Sequence, residues 1–401
     1  MPESCCSGSS GRRRRQPCNC GKPADTNAEP CCPAPEPEPP KTEEKTCGCT
    51  AAPAPQPWMD GAVDTPAGPV SRVKTTLEFA DVFGSWKARW SIGRMDYTVE
   101  PGLYCVGTPG PQSPVLVTAN YKMTFDRLRK ELDGVDAWVL VLDTKGINVW
   151  CAAGKGTFGT EELVRRISLS NLKAAVSHRV LILPQLGAIG VAAHEVTKQT
   201  GFHVEWGPVR AEDLKEYLEN SRKATEAMRT VRFTLWDRLV LTPMELVGAL
   251  KPALVAFGIL FILNAVGFGH YGGTFLAAVL GAILVGAVLT PVLLPWIPGR
   301  AFSLKGFLLG LLWAAGAILL FNIIPLQPVE QPLGNWLTAA GYLLLLPALS
   351  AFCAMNFTGS STFTSMSGVD KEMKVALPLM LVAGALGSVA LLANDIILLI
   401  L

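Results

Sequence analysis

From Leu246 onward the chain carries five long apolar runs almost free of charge, roughly 246–267, 273–297, 302–324, 334–355 and 375–400. About 20 apolar residues match the hydrocarbon thickness of a bilayer. Backbone in that medium must satisfy its own hydrogen bonds, so such runs read as helices. A purely soluble protein is thereby excluded. The 245 residues before Leu246 exclude a purely embedded one. The 401 residues are 49% hydrophobic and 17% charged, with a mean hydropathy of +0.31. A net charge of +2 argues against a dedicated nucleic-acid binder.

Basic residues orient the spans. Arg222, Lys223, Arg229, Arg232 and Arg238 precede the first, Arg300 and Lys305 lie between the second and third, and Lys371 and Lys374 between the fourth and fifth. The loops around His270 and Glu330 have no Lys or Arg. All basic loops fall on one side with the N-terminal half. A multi-pass protein of the cytoplasmic (inner) membrane is expected, with that half in the cytoplasm. The expected division is a disordered Cys-rich tail (1–69), an α/β domain (70–228), a basic linker (229–245) and a five-helix transmembrane domain (246–401).

Pro, Glu, Ser, Gly and Cys dominate residues 1–69, a composition that buries too little apolar surface to fold. Eight of the 11 cysteines lie in the first 50 residues: Cys5, Cys6, Cys18, Cys20, Cys31, Cys32, Cys47 and Cys49. Arg12 to Arg15 are basic, but no apolar segment follows, so no secretory leader is expected. Without export the thiols would stay reduced.

Residues 70–228 alternate strand and helix patterns. Strands are expected at 115–118, 137–142, 179–183 and 203–206. Helices are expected at 125–132, 161–172, 191–200 (closed by Gly201) and 211–228. Such alternation suggests a mainly parallel, Rossmann-like sheet. Ligands bind at the carboxyl ends of its strands. The loops there are 118–124, 143–155, 184–190 and 207–210.

One of these loops carries chemistry. Asp143-Thr-Lys-Gly-Ile-Asn-Val-Trp-Cys-Ala-Ala-Gly-Lys-Gly156 sets a single cysteine, Cys151, at the mouth of the sheet. The small residues at 152, 153, 154 and 156 are expected to leave a flat, open surface for something broad and planar. A lone thiol there is a nucleophile, a soft-metal ligand or a small apolar filler. Composition and spacing leave all three open.

Asn148-Val-Trp-Cys-Ala-Ala-Gly-Lys155 resembles the signature of the HgcA-type family of mercury-methylating corrinoid proteins. Pro114 to Met123, Leu183 to Gly187, Trp206 to Arg210 and Asn356 to Ser365 agree with that likeness, which covers about residues 70–401. The α/β domain is also similar to the large subunit of the corrinoid iron–sulfur protein, which lacks the cysteine signature. The resemblance implies a corrinoid-dependent methyltransferase that passes a methyl group from cobalt to Hg(II). It implies a cobalamin-type corrinoid with Cys151 as lower axial ligand of cobalt. Asn148, Val149, Trp150, Ala152, Ala153, Gly154 and Lys155 would lie beneath the ring, and Thr118, Ala119, Asn120, Tyr121, Gln185, Leu186 and Gly187 would border it. A small ferredoxin with two four-iron clusters as reductant and a methyltetrahydrofolate-linked methyl donor are the implied partners. A thiolate opposite the methyl group favours its departure with the bonding electrons, since axial ligands tune cofactor electronics.

The histidine-donor motif Asp-x-His-x-x-Gly is absent: His178, His194 and His203 lack the trailing glycine, and Phe268 stands where His270 would need Asp. The tail cysteines are either a capture site for Hg(II), zinc or Cu(I), or a plain extension. Cys105 and Cys353 read as packing residues. Lys155 and Arg210 either meet the polar edge of a corrinoid or are solvated charges. Two rival functions remain: a corrinoid methyl carrier with another acceptor, and a membrane metal-binding or transport protein.

Overall fold

The computed structural model describes residues 56–267, 271–324, 333–363 and 366–400; the eight tail cysteines and His270 lie outside them. Its core is a sheet whose central strands, Val115–Ala119 (β4) and Ala137–Leu142 (β5), are buried at every position. Strands covered on both faces require such unbroken apolar runs. They pair in parallel from Val115–Trp138 to Ala119–Leu142. Val180–Leu183 (β6) and His203–Trp206 (β7) extend this parallel half. Beyond β5 the sheet changes character. Gly102–Val106 (β3) runs antiparallel to β5, Gly68–Val73 (β2) parallel to β3, and Met59–Thr65 (β1) antiparallel to β2.

The expected mainly parallel, Rossmann-like sheet is a seven-stranded mixed sheet, ordered β1-β2-β3-β5-β4-β6-β7, with four of its six strand pairings parallel. The tail boundary at residue 69 is corrected too, because β1 and the start of β2 precede it. Met-Asp-Gly-Ala-Val-Asp-Thr has little apolar patterning because β1 is an edge strand with no buried position. Its ladder to β2 holds it in place.

Alternate side chains of β4, β5 and β6 enter two cores. Val117, Leu140 and Leu183 meet Val149–Lys155 (α3), Thr160–Leu169 (α4), Leu172–Ala175 (α5) and Ala193–Thr200 (α6). Leu116, Val139 and Ile182 meet Lys122–Glu131 (α2), Leu214–Glu219 (α7) and Trp58. Two expected helices are broken. Asn171 takes a left-handed φ of 46° after α4. After α7, Arg222 N donates to Tyr217 O at 2.9 Å while Ser221 and Arg222 have positive φ. That is a Schellman-type stop, and Glu226–Arg229 (α8) starts afresh.

Phe79–Arg89 (α1) is locked to α2 by four buried charges. Lys122 Nζ lies 2.7 Å from Asp81 and also reaches Asp126. Arg129 lies 2.7 Å from Asp81 and 2.8 Å from Asp126, and also donates to the carbonyls of Lys74 and Thr76. Burial alone would raise the Asp81 carboxyl, but the Lys122 and Arg129 contacts and a backbone donor hold it below its ordinary range.

Five helices among the described residues are long and apolar enough to cross a membrane. The first, Leu235–Ala265 (α9), begins inside the expected 229–245 linker. Thr234 caps it through a reciprocal box with Asp237, so local capping starts the helix before the apolar run does. The second runs as Gly273–Leu284 (α10), a π-helical turn at 285–289 and Thr290–Leu293 (α11). Pro291 has no N–H to donate, and such interruptions produce π-bulges. Thr290 Oγ1 donates to the Val285 carbonyl at 2.8 Å. Phe302–Leu320 (α12), Leu333–Asn356 (α13) and Met366–Ile400 (α14) complete the set.

Candidate cofactor site at the carboxyl edge of the sheet

Because β4, β5, β6 and β7 are parallel, the loops after them open on one edge. The loop after β5 leads into α3, a two-turn helix carrying Cys151. Asn148 is its N-cap, with Oδ1 accepting from the Cys151 backbone N–H at 2.9 Å. Gly156 closes it at φ 81°. A helix this short is marginal alone; its two caps and its packing against the end of β4 and the 3-10 turn Gln185–Gly187 hold it.

The approach to α3 is fixed from beneath. Asn120, 6% exposed at the end of β4, accepts at Oδ1 from Thr144 N (3.1 Å), Thr144 Oγ1 (2.8 Å) and Gly146 N (3.0 Å). One side chain thus pins the turn between β5 and Cys151. Gly146 has φ 70°, and a Cβ there would sit 2.9 Å from the Met95 carbonyl oxygen. Burial alone would raise the Asp143 carboxyl, but hydrogen bonds from Lys145 hold it below its ordinary range.

Cys151 is the exposed cysteine among the described residues, whereas Cys105 and Cys353 are buried. Burial pushes the Cys105 thiol up to about 11, as suits a packing residue. Cys151, Gly154 and Lys155 share the outer face of α3, and a Cβ on Gly154 would meet nothing within 4 Å. The outer face of α3 is thus open at Gly154, but Ala152 and Ala153 do not line it. They turn into the core with Val149. Gly190 passes so close to Ala153 that a Cβ on it would lie 2.9 Å from Ala153 Cα and 2.2 Å from Phe158 O.

Other expected border residues divide by depth. Thr118, Ala119, Tyr121 and Gly187 are buried; Trp150, Gln185 and Leu186 are partly exposed. Tyr121 is 3% exposed and its hydroxyl has no partner. Gln185 accepts from Arg229 at 2.8 Å. Arg210 is engaged with Glu212 at 2.9 Å and Asp237 at 2.8 Å, and so ties the loop after β7 to α9. Sequence reasoning missed Asn120 as a positioning group, Gly190 and Phe158. The Thr-Lys-Gly turn after β5 was the available signal for the first. Among the described residues no cluster of three or more His, Cys, Asp or Glu side chains is placed to hold a metal.

The fold and site define an α/β domain with one exposed thiol at the carboxyl edge of its parallel strands, joined to an apolar helical region. Residues 91–218 match the family described as CO dehydrogenase/acetyl-CoA synthase delta subunit. The chain is similar to acetyl-CoA decarbonylase/synthase complex subunit gamma of Methanopyrus kandleri, 37% identical over 123 residues, 30% of this chain and 26% of the relative. It is likewise similar to the gamma subunits of Archaeoglobus fulgidus, 33% over 130 residues (32% and 27%), and Methanocaldococcus jannaschii, 33% over 130 residues (32% and 26%). The chain spans about a quarter of the length of these curated relatives.

Proposed function

We propose that this chain is a membrane-anchored corrinoid protein that transfers a methyl group from cobalt to Hg(II). The observation carrying the proposal is the exposed Cys151 thiol on the Asn148–Lys155 octapeptide, presented by a capped helix at the ligand-binding edge of the sheet. The relatives' names support methyl handling, since decarbonylation of an acetyl group leaves a methyl.

The residues present suit a corrinoid. Cys151 Sγ is the soft donor that would hold cobalt, and Gly154 leaves room beside it. Asn148 and Asn120 fix the donor's backbone at both ends of the approach. Trp150, Gln185 and Leu186, partly exposed, would flank the macrocycle, and Lys155 would meet its polar rim. When bound, the corrinoid supplies a cobalt-held methyl group that departs with its bonding electrons to a soft electrophile, giving methylmercury from Hg(II). The chain's own work is to hold one sulfur donor rigidly while the other face stays open to the acceptor.

A small ferredoxin would supply electrons and a methyltetrahydrofolate-linked donor the methyl group. The basic loops support a cytoplasmic position for the α/β domain. The test is anaerobic incubation of the full chain with methylcobalamin and Hg(II). Methylmercury formed faster than by free methylcobalamin, and no faster by Cys151→Ala, supports the proposal; equal rates for wild type and Cys151→Ala contradict it. The relatives' names favour a second reading, a methyl carrier for another acceptor. It would show as a cobalt-loaded, methylated protein that leaves Hg(II) untouched.

A further inference from the structure

The helix α1 presents an apolar stripe that nothing among the described residues covers. Phe79 is 82% exposed, Val82 56%, Phe83 44% and Trp86 54%. These positions fall on one face at i, i+3, i+4 and i+7. The rings of Phe79 and Phe83 stack at 5.8 Å, and those of Phe83 and Trp86 at 6.1 Å. The buried positions Asp81, Gly84 and Ala88 occupy the opposite face. Contiguous apolar surface of this kind marks an interaction site.

Continuity with α9 identifies the occupant. Arg89, on the flank of the stripe, donates to the Val240 carbonyl of α9 at 3.3 Å. Val240 precedes the apolar run at Leu246 by roughly 9 Å at 1.5 Å per residue. The headgroup layer is about 5–8 Å deep on each side, and a helix with its side chains is about 10–12 Å across. A helix docked at Val240 therefore reaches the headgroup–acyl boundary with one face. Trp236, 68% exposed, and Trp296, 64% exposed, lie at the same ends of the first two spans. Trp side chains favour such interfaces.

The charges agree. Arg89, Arg94 and Arg127 gather around Tyr121, and among the described residues none pairs with a carboxylate. Burial, and then Arg127 and Arg94, push the Arg89 guanidinium down to about 10. The Arg94 guanidinium lies 5.3 Å from the Tyr121 ring, whose hydroxyl is buried without a partner. Arg89 and Arg94 meet only backbone carbonyls among the described residues, those of Val240 and Ala88, so three guanidiniums without a carboxylate beside an unused donor suit an anion.

We propose that α1 is an interfacial helix that seats the α/β domain on an anionic phospholipid bilayer, its aromatic stripe at the acyl boundary and Arg89, Arg94 and Arg127 on lipid phosphates. This rests on the membrane reading of the five apolar helices. Interfacial helices combine an apolar face with basic residues in this way. Seating the domain there also fixes the carboxyl edge of the sheet relative to the spans, since Arg210 and Arg89 both tie to α9.

The test places the photoreactive residue benzoylphenylalanine at Phe83 of the full chain in vesicles of phosphatidylethanolamine and phosphatidylglycerol. Mass spectrometry of the illuminated protein should show a lipid adduct at Phe83. Matched probes at Ile259, inside α9, and at Leu169, on the far end of α4, should give an adduct and none, respectively. In the triple variant Arg89→Gln, Arg94→Gln, Arg127→Gln, the Phe83 adduct should fall about two-fold or more in anionic vesicles. An adduct at Ile259 with none at Phe83 overturns the seat and leaves the spans intact. No adduct at either overturns the membrane reading as well. A protein–protein crosslink at Phe83 overturns the proposal in favour of a second copy.

Discussion

Asn148 and Cys151 are joined by one hydrogen bond, from the Cys151 backbone N–H to Asn148 Oδ1 at 2.9 Å. The bond satisfies an otherwise orphaned donor in the first turn of α3 and fixes the peptide from which the thiol projects. The residue that starts the helix and the residue that supplies its chemistry therefore form one unit.

Asn148→Ala should cost about 1 kcal/mol of stability, the usual cost of a lost N-cap. Hydrogen exchange should quicken at the Cys151 amide while β4 and β5 stay protected. Asn148→Ser retains a capping oxygen and should restore most of the protection. Unchanged exchange in Asn148→Ala would contradict the capping role.

Asn120→Ala removes the acceptor of two buried backbone donors, Thr144 N and Gly146 N. Each orphaned donor costs about 1–3 kcal/mol. The variant should lose thermal stability in the full chain and bind corrinoid more weakly, because the path to Cys151 is no longer pinned. Asn120→Asp keeps the acceptor and should lie between the two. Equal thermal midpoints for wild type and Asn120→Ala would contradict the account.

Gly190→Ala adds a methyl where Ala153 and Phe158 leave no space. Overpacking costs about 1–3 kcal/mol, and here the neighbours are backbone atoms that cannot swing away. Proteolysis near α3 should rise. Alanine at Gly154, where the space is open, should leave stability nearly unchanged, which makes the pair an internal comparison.

The buried group around Asp81 gives a signed pH dependence. Its carboxyl is held below the ordinary aspartate value of 3.8. A depressed carboxyl contributes stability that is complete above its unfolded value and lost as pH falls through its folded value. Thermal midpoints of the full chain in detergent should therefore fall below about pH 4 in part through Asp81. Asp81→Asn should be less stable at pH 7 and lose less on acidification. Lys122→Met should destabilise by about 3–5 kcal/mol, because it leaves two buried carboxylates, Asp81 and Asp126, sharing the one charge of Arg129. An identical acid limb in Asp81→Asn would contradict this assignment.

The parallel half of the sheet was legible because β4 and β5 are unbroken apolar runs, and each of the five long apolar helices because its run exceeds any soluble strand or helix pattern. The mixed half, β1 to β3, was not. β1 and β2 earn their place by pairing at an edge, which leaves little periodicity, and α1 shows its apolar face outward, against the pattern of a packed helix. Breaks at Asn171 and Ser221 depend on left-handed backbone that carries no glycine to announce it. At the site, the octapeptide marked Cys151, but the close approach of Gly190 to Ala153 joins residues distant in sequence and so required coordinates.

The most direct test of the central claim is the ultraviolet–visible spectrum of the anaerobically purified full chain, reconstituted with cobalamin, beside Cys151→Ala. Because Cys151 is exposed, the variant should fold as the wild type does, within about 0.5 kcal/mol. The account predicts a cobalt-corrinoid spectrum in the wild type that shifts when the thiol is removed. Cys151→His should bind corrinoid with a different spectrum and transfer methyl poorly. A wild type that stays colourless, or a spectrum identical with and without the thiol, would contradict a Cys151-ligated corrinoid.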